Sequence, residues 1–442
     1  MLKKKSRLMS LFIPIFLELL FTMLTGVVDT FMLASEGDKA VGAVGTANSY
    51  ISVFLIMFSI ISSGMLAVMT QYIGAQRPGV AKQALRLGLG INAGVGLAFS
   101  GLLCFCAGPI LDIVGIAAEL REPAKIYMQT VGAFSICSAL IPIYSGYLRA
   151  FGHASPPLRA NMLANISNLI LNALFLYVLK MGVFGIALAT GISRLLNMLW
   201  VLLASRKLHG EIQDDGRHLP MSEILGKMLK VGLPGALESL MYNVSVMLVI
   251  SLLNRMDSSG MQAIGRAYTA QIAQFSFCAG CALAQANAIM VGWRIGAGEL
   301  DECDRETRRN AVIGILLGGV LAGVFAIFFR PVLSIFTDDP MIMRLVSALL
   351  IVEIPLEIGR AVNMLFGWSL KASGDAMYTL IIAIIFMTIL PVGGSWYLGI
   401  KLGWLAVGAY VGMALDECGR AVFMYLRWNK GIWRTKNLVT EN

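Results

Sequence analysis

The residues of this sequence that invite a chemical reading are acids and amides set inside long apolar stretches. Asp29 stands in Gly26-Val27-Val28-Asp29-Thr30-Phe31. Glu18 and Glu238 each follow a proline, Pro14 and Pro234, by four residues. Glu353, Glu357 and Arg360 recur at helical spacing, and so do Asp416 and Arg420, with Glu417 beside them. Asn165, Asn168 and Asn172 share one helical face, with Asn161 just before them. Carboxylate, amide and hydroxyl oxygens are what a hard cation such as sodium prefers. A carboxyl that holds a proton or a cation in turn is the chemistry of ion coupling.

Each group also has a structural reading. Asparagines and hydroxyls bridge helices in a membrane. Glu357 with Arg360, and Asp416 with Arg420, can pair along a single helix and reduce each other's cost. Asp29 is read as functional and the Asp416–Arg420 group as structural. Glu18, Glu238 and the Glu357–Arg360 pair stand open between the two readings. Other chemistries find little support. Cys278-x-x-Cys281 has no second pair and no nearby histidine, and His153, His209 and His218 fall in loops. No Walker A lysine motif occurs. The chain is therefore not read as an enzyme. No cofactor is expected, and no metal beyond a sodium ion at the acid–amide site.

The elements that carry these residues follow from composition. Of 442 residues, 57% are apolar and 14% charged, against about 45–50% and about 25% in soluble domains. That balance argues against a cytosolic enzyme, a nucleic-acid binder or a disordered chain. Apolar stretches long enough to span a bilayer lie near 8–33, 45–72, 86–112, 124–148, 158–180, 184–205, 226–253, 262–293, 310–335, 343–370, 376–399 and 403–427. Runs of this length predict helices, since barrel strands would alternate. The basic start, Lys3-Lys4-Lys5, resembles a signal-peptide head, but the apolar run behind it is long and holds Glu18 and Asp29. It is read as a retained first span. The net charge of +9 is one of topology. Basic residues gather on the side of the two termini, as at Lys3 to Arg7, Arg206 to Arg217, Arg305 to Arg309 and Arg427 to Lys436. Few lie on the other side, among them Lys39, Arg121 and Lys401. Both termini are therefore expected in the cytoplasm, in a multi-pass protein of the cytoplasmic membrane. No nucleic-acid partner is expected.

The chain also repeats itself at an offset of about 222 residues. Leu148-Arg149-Ala150-Phe151-Gly152 answers to Leu370-Lys371-Ala372-Ser373-Gly374. Ile73-Gly74-Ala75 answers to Ile295-Gly296-Ala297, Ala40-Val41-Gly42 to Ala263-Ile264-Gly265, and Pro14 with Glu18 to Pro234 with Glu238. Gly182 and Gly191 fall opposite Gly403 and Gly412. The expected architecture is all-α: twelve transmembrane helices in two pseudo-symmetric six-helix lobes. Residues 1–205 would form the N-lobe, 206–223 a cytoplasmic linker, and 224–442 the C-lobe with a short tail. Six spans per half make the repeat parallel.

Together these features resemble the MATE family, the multidrug and toxic compound extrusion transporters, over essentially the whole chain. The resemblance rests on Pro14 with Val28-Asp29-Thr30, on the Ile-Gly-Ala turns, and on the Leu148–Gly152 and Leu370–Asp375 motifs. Asn165 through Asn172 and Gly182 through Thr190 add to it. It implies two lobes about a V-shaped cleft, and efflux of organic, cationic compounds in exchange for sodium or protons by alternating access. In members with an N-lobe cation site, the matching positions here are Asp29, Asn168, Asn172 and Thr190. Asn172 departs from the pattern, an amide standing where those members have a second carboxylate. Members with a C-lobe acid pair match Tyr242 and Arg360 here, so that pair does not carry over. Glu238, Glu353 and Glu357 are candidate replacements. The expectation is a monomeric antiporter whose partners are small organic substrates and membrane lipids. The alternatives are a lipid-linked saccharide flippase of the same wider superfamily and a non-transporting membrane sensor or scaffold.

Overall fold

The computed structural model describes residues 7–257, 259–334 and 337–439. The chain is all-α. In the first half run α1 (Arg7–Ala34), α2 (Asp38–Gly74), α3 (Pro78–Val114), α4 (Ala118–Ala133), α5 (Ser135–Ala150), α6 (Ser155–Ala173) and α7 (Gly182–Glu211). In the second run α8 (Met221–Met256), α9 (Met261–Gly296), α10 (Leu300–Leu333), α11 (Pro340–Ser373), α12 (Ala376–Gly394) and α13 (Leu405–Asn429). Among the described residues, nine of these helices are long and apolar enough to cross a membrane, and α4 with α5 makes a tenth span bent by 46°. α11 and α13 have the length as well and carry the buried charges. This gives the twelve spans expected.

The fourth span differs from its expected form, a single run over 124–148. It breaks at Phe134, where no proline stands. The reason is tertiary. The ring of Phe134 lies where a side chain at Gly191 of α7 would be, closer to the position of a Cβ than any real contact allows. The two helices close around that ring.

The repeat is visible in the backbone. Left-handed residues recur at matching places: Gly37 and Gly260, Gln76 and Gly298, Gly152 and Gly374, Gly182 and Gly403. A π-helical turn follows α6 at Leu174–Val178, and another follows α12 at Ser395–Lys401. At Gly374 glycine is required twice over. Its φ is +100°, and a Cβ would come within 2.5 Å of the Lys436 carbonyl oxygen.

The chain packs as two compact units, Ile13–Gly232 and Met1–Phe12 with Leu233–Asn442. The divisions fall within α1 and α8, just before Pro14 and Pro234, rather than at the polar stretch 206–223. That stretch is no free tether. α7 continues through Glu211, and residues 212–219 are docked on the start of α3. Asp215 accepts from the Gly79 backbone N–H at 2.9 Å, Lys82 donates to the Ile212 carbonyl at 2.6 Å, and Gln83 bonds the backbone N–H and C=O of Leu219.

In the first unit the core joins α2, α3, α4 and α7 through Ala43, Ala47, Leu103, Leu111, Met128 and Ala187. In the second, Leu349, Leu356, Ala409 and Tyr410 join α11 to α13. Gly359 lets these two helices approach so closely that a Cβ there would meet the Cys418 backbone nitrogen at 2.8 Å. Large apolar side chains such as Phe105, Ile113, Met247 and Ile327 face outward, as a lipid-facing surface does.

Candidate functional site

Two buried polar centres stand out, one in each unit. In the first, Asp29 projects from α1 toward the asparagine face of α6. Asn172 Nδ2 donates to Asp29 Oδ1 at 2.9 Å. Asn168 sits one turn before Asn172 on the same face, as 3.6 residues per turn require. With its oxygen toward Asn172 it accepts at 3.1 Å, and with its nitrogen turned toward Asp29 it donates to Oδ1 at 2.8 Å. Both asparagines are buried. Among the described residues, no Lys or Arg forms an ion pair with Asp29, and Asn172 Oδ1 is enclosed without a hydrogen-bond partner. The centre thus offers one carboxylate, one unused amide oxygen and no resident cation.

Thr190 on α7 donates to the Ile186 carbonyl of its own helix at 3.0 Å. It makes no hydrogen bond to Asp29, Asn168 or Asn172 among the described residues; Tyr127 of α4, for its part, donates to Asn48 Oδ1 at 3.2 Å. Neither Tyr127 nor Asn48 stands out in the sequence. A tyrosine in an apolar span, whose hydroxyl needs a partner, was the available signal. The asparagine stripe divides by depth. Asn165 donates to Asn161 at 2.8 Å, and Thr22 of α1 donates to the same Asn161 oxygen at 3.3 Å. The lower half of the stripe binds helices together, and the upper half surrounds the acid.

The second centre lies where α11 meets α13. Arg360 pairs with Glu357, lies 3.6 Å from Glu353, and reaches Glu417 of α13 at 3.4 Å. Arg420 holds Asp416 with two bonds at 2.9 and 2.6 Å and Glu417 at 2.9 Å. Asn363 donates to the other Glu417 oxygen at 2.9 Å. All of these side chains are buried. The expected same-helix pairs, Glu357–Arg360 and Asp416–Arg420, are present. The geometry adds Glu417 as the bridge between the two helices.

Glu18 and Glu238 belong to neither centre. Arg149 donates to Glu18 at 2.6 Å, and Lys371 donates to both Glu238 oxygens at 3.1 Å, with Thr379 adding a third bond at 3.1 Å. The two pairs are equivalent under the repeat. Each ties the proline-bearing first helix of a half to the basic residue of the Leu-Arg/Lys-Ala motif. In sequence those basic residues read only as topology charges. Glu238 therefore has its own partners and stands apart from Glu353 and Glu357, the other candidate C-lobe acids.

Comparison with known proteins places the whole chain. The MatE family model matches residues 14–174 and again 234–396, so one model fits both halves, starting at each proline. An uncharacterized transporter of Bacillus subtilis, YisQ, is 29% identical over 440 residues, covering 98% of this chain and 96% of its own. A probable multidrug resistance protein NorM of Thermotoga maritima is 24% identical over 452 residues, covering 99% and 95%. Among solved structures, the outward-facing conformation of a multidrug resistance MATE family transporter of the MOP superfamily superposes with a TM-score of 0.89. It does so at 19% identity, over 98% of this chain and 97% of the other.

Proposed function

The chain belongs to the MatE family of multidrug efflux transporters, and from this membership we propose that it is an antiporter exporting organic, cationic compounds in exchange for sodium ions or protons. Asp29 is the coupling carboxylate, with Asn168, Asn172 and Thr190 as its oxygen ligands. Both termini face the cytoplasm, and the protein works as a monomer with small organic substrates and surrounding lipid as its partners. It needs no cofactor beyond the coupling ion.

The observation that carries this reading is the composition of the first centre. A carboxylate without a cation, beside an amide oxygen without a donor, fits a proton or a small hard cation. Binding at Asp29 from outside replaces the hydrogen bond from Asn172 and loosens α1 from α6. α1 holds Pro14, whose missing N–H lets the helix bend. Bending releases the substrate outward, and the return inward delivers the ion to the cytoplasm.

Dye efflux from proteoliposomes under separately imposed sodium and proton gradients tests this. The wild type is expected to run on one of the two, and Asp29→Asn on neither. Asparagine is nearly the same size but cannot carry the charge or the exchanging proton. Wild-type flux in Asp29→Asn would remove Asp29 from the coupling role, and no flux in either gradient would remove antiport.

A further inference from the structure

A third feature runs below the first centre, along the facing sides of α1 and α6. Asn172, Asn168, Asn165 and Asn161 follow one another on α6 at steps of three or four residues, about 4.5–6 Å apart along the axis. The upper two surround Asp29. The lower two meet Thr22 of α1. Asn165 donates to Asn161 Oδ1 at 2.8 Å, and the Thr22 hydroxyl reaches the same oxygen at 3.3 Å and the Glu18 carbonyl at 2.8 Å. That hydroxyl has one proton for two acceptors, so one of the two contacts is always open. One turn further down, the Glu18 carboxylate accepts from Arg149 Nη2 at 2.6 Å. Between them the two helices carry a row of oxygens from Asp29 to Glu18, about 16 Å along α1.

The ion pair at the foot of this row is held differently from the fastenings. Arg420 grips Asp416 with both Nε and Nη2, and Arg427 grips Asp375 in the same way. Arg149 gives Glu18 a single bond, and its Nε is enclosed without a partner. A one-bond pair opens more readily than a two-bond fork. The second half has the pair without the row. Glu238 and Lys371 repeat Glu18 and Arg149, but Ala383, Met387, Leu390 and Gly394 of α12 fall where α6 has its four asparagines. Val249 of α8 falls where α1 has Asp29. Tying down a first helix therefore needs only the pair. The row of amides accompanies the carboxylate that has no cation.

We propose that this row is the inward exit path of the coupling ion. A small hard monovalent cation leaves Asp29 along the amide oxygens of Asn168, Asn165 and Asn161 to Glu18. Arg149 is the gate, the tethered cation that takes Glu18 back once the ion has gone. Amide and carboxylate oxygens suit such an ion, and several weak sites in succession let it leave as well as enter. With Arg149 in place, Glu18 carries no lasting unpaired charge within the span. The path rests on the antiporter reading with Asp29 as the coupling carboxylate. It selects sodium over the proton, because amides neither take up nor give off protons near neutral pH.

The test is exchange of radioactive sodium across proteoliposomes holding equal sodium on both sides, which needs neither a gradient nor a drug. Equilibrium sodium binding to the purified full chain is measured beside it. The wild type is expected to exchange and to bind. Asn161→Leu and Asn165→Leu should each slow exchange about tenfold while sodium affinity stays within about twofold. Asn161→Asp, which keeps the oxygen, should restore the rate. Glu18→Gln should slow exchange as the Leu variants do, and Glu238→Gln, the matching change in the half without the row, should not. Arg149→Gln frees Glu18 and should add a second bound sodium per chain, lost again when Glu18→Gln is combined with it. A thermal-unfolding midpoint shows which variants are folded; if the Leu variants are not, the sodium stoichiometry of Arg149→Gln decides. Unchanged exchange in folded Leu variants, exchange and affinity falling together, equal losses in Glu18→Gln and Glu238→Gln, or no second sodium in Arg149→Gln would each overturn the proposal. A wild type that exchanges no sodium yet exports dye on a proton gradient would overturn the path and leave the antiporter. Sodium exchange with the expected variant losses, but no dye efflux in either gradient, would support the path and sink the antiporter reading.

Discussion

The two halves of this molecule share one backbone plan but bury charge in opposite ways. In the first unit a single carboxylate, Asp29, is surrounded by amides and has no cation among the described residues. In the second, Glu353, Glu357, Asp416 and Glu417 are interleaved with Arg360 and Arg420. Where every acid has an arginine beside it, two guanidiniums against four carboxyls, the protein itself compensates part of the charge and the group serves as a fastening. Where the acid has only amide neighbours, no cation of the protein neutralises it, and under the proposed function the coupling ion does so. The difference separates a structural ionic centre from one suited to exchange.

The contrast can be broken most forcefully from the fastened side. Removing one member of a buried charge network leaves its partners unpaired, at a cost of roughly 3–5 kcal/mol. Arg420→Gln should therefore lower the unfolding midpoint in detergent strongly, because Asp416 and Glu417 both lose their main partner. A midpoint close to wild type would mean that the α11–α13 network is not a fastening.

Next comes the missing charge of the first centre. Asn172→Asp places a second carboxylate beside Asp29, a repulsion that sodium would relieve. Saturating sodium should stabilise this variant by up to about 2.7 kcal/mol at a hundredfold excess over its Kd, and choline should not. If sodium leaves the variant's midpoint where choline does, the centre is no sodium site, and proton coupling is the reading to pursue.

A smaller effect, about 1 kcal/mol, is expected from breaking either hinge pair. Glu18→Gln and Glu238→Gln should destabilise by similar amounts, because Arg149 and Lys371 occupy equivalent places in the repeat. A large inequality between them would show that the repeat's two hinges have diverged in role. The smallest effect on stability belongs to Asp29→Asn, within about 1 kcal/mol, since no ion pair is lost. Coupled flux should nevertheless disappear. A large loss of stability in this variant would place Asp29 with the fastened acids instead.

Much of the fold was legible from residue order. Helices are local: length, apolarity and the absence of alternation mark α1, α2 or α10 without reference to any neighbour. The repeat was legible too, because the same turns demand the same residues, as at Gly152 and Gly374. The broken fourth span was not, since Phe134 ends α4 only by occupying the space left open at Gly191, in another helix. Nor was the docking of 212–219 on α3, which depends on Asp215 meeting a backbone amide far away in sequence.

The sites divide along the same line. Asn168 with Asn172, Glu357 with Arg360, and Asp416 with Arg420 follow from a helical rise of about 1.5 Å per residue, which places such neighbours on one face whatever the rest of the chain does. Asn172 with Asp29, Arg149 with Glu18, Lys371 with Glu238, and Arg360 with Glu417 join residues on different helices. No local periodicity specifies which helix lies opposite. Small residues such as Gly359, and the close approach they permit, select those partners. That selection left Asp29 with amides for neighbours and the acids of α11 and α13 with arginines.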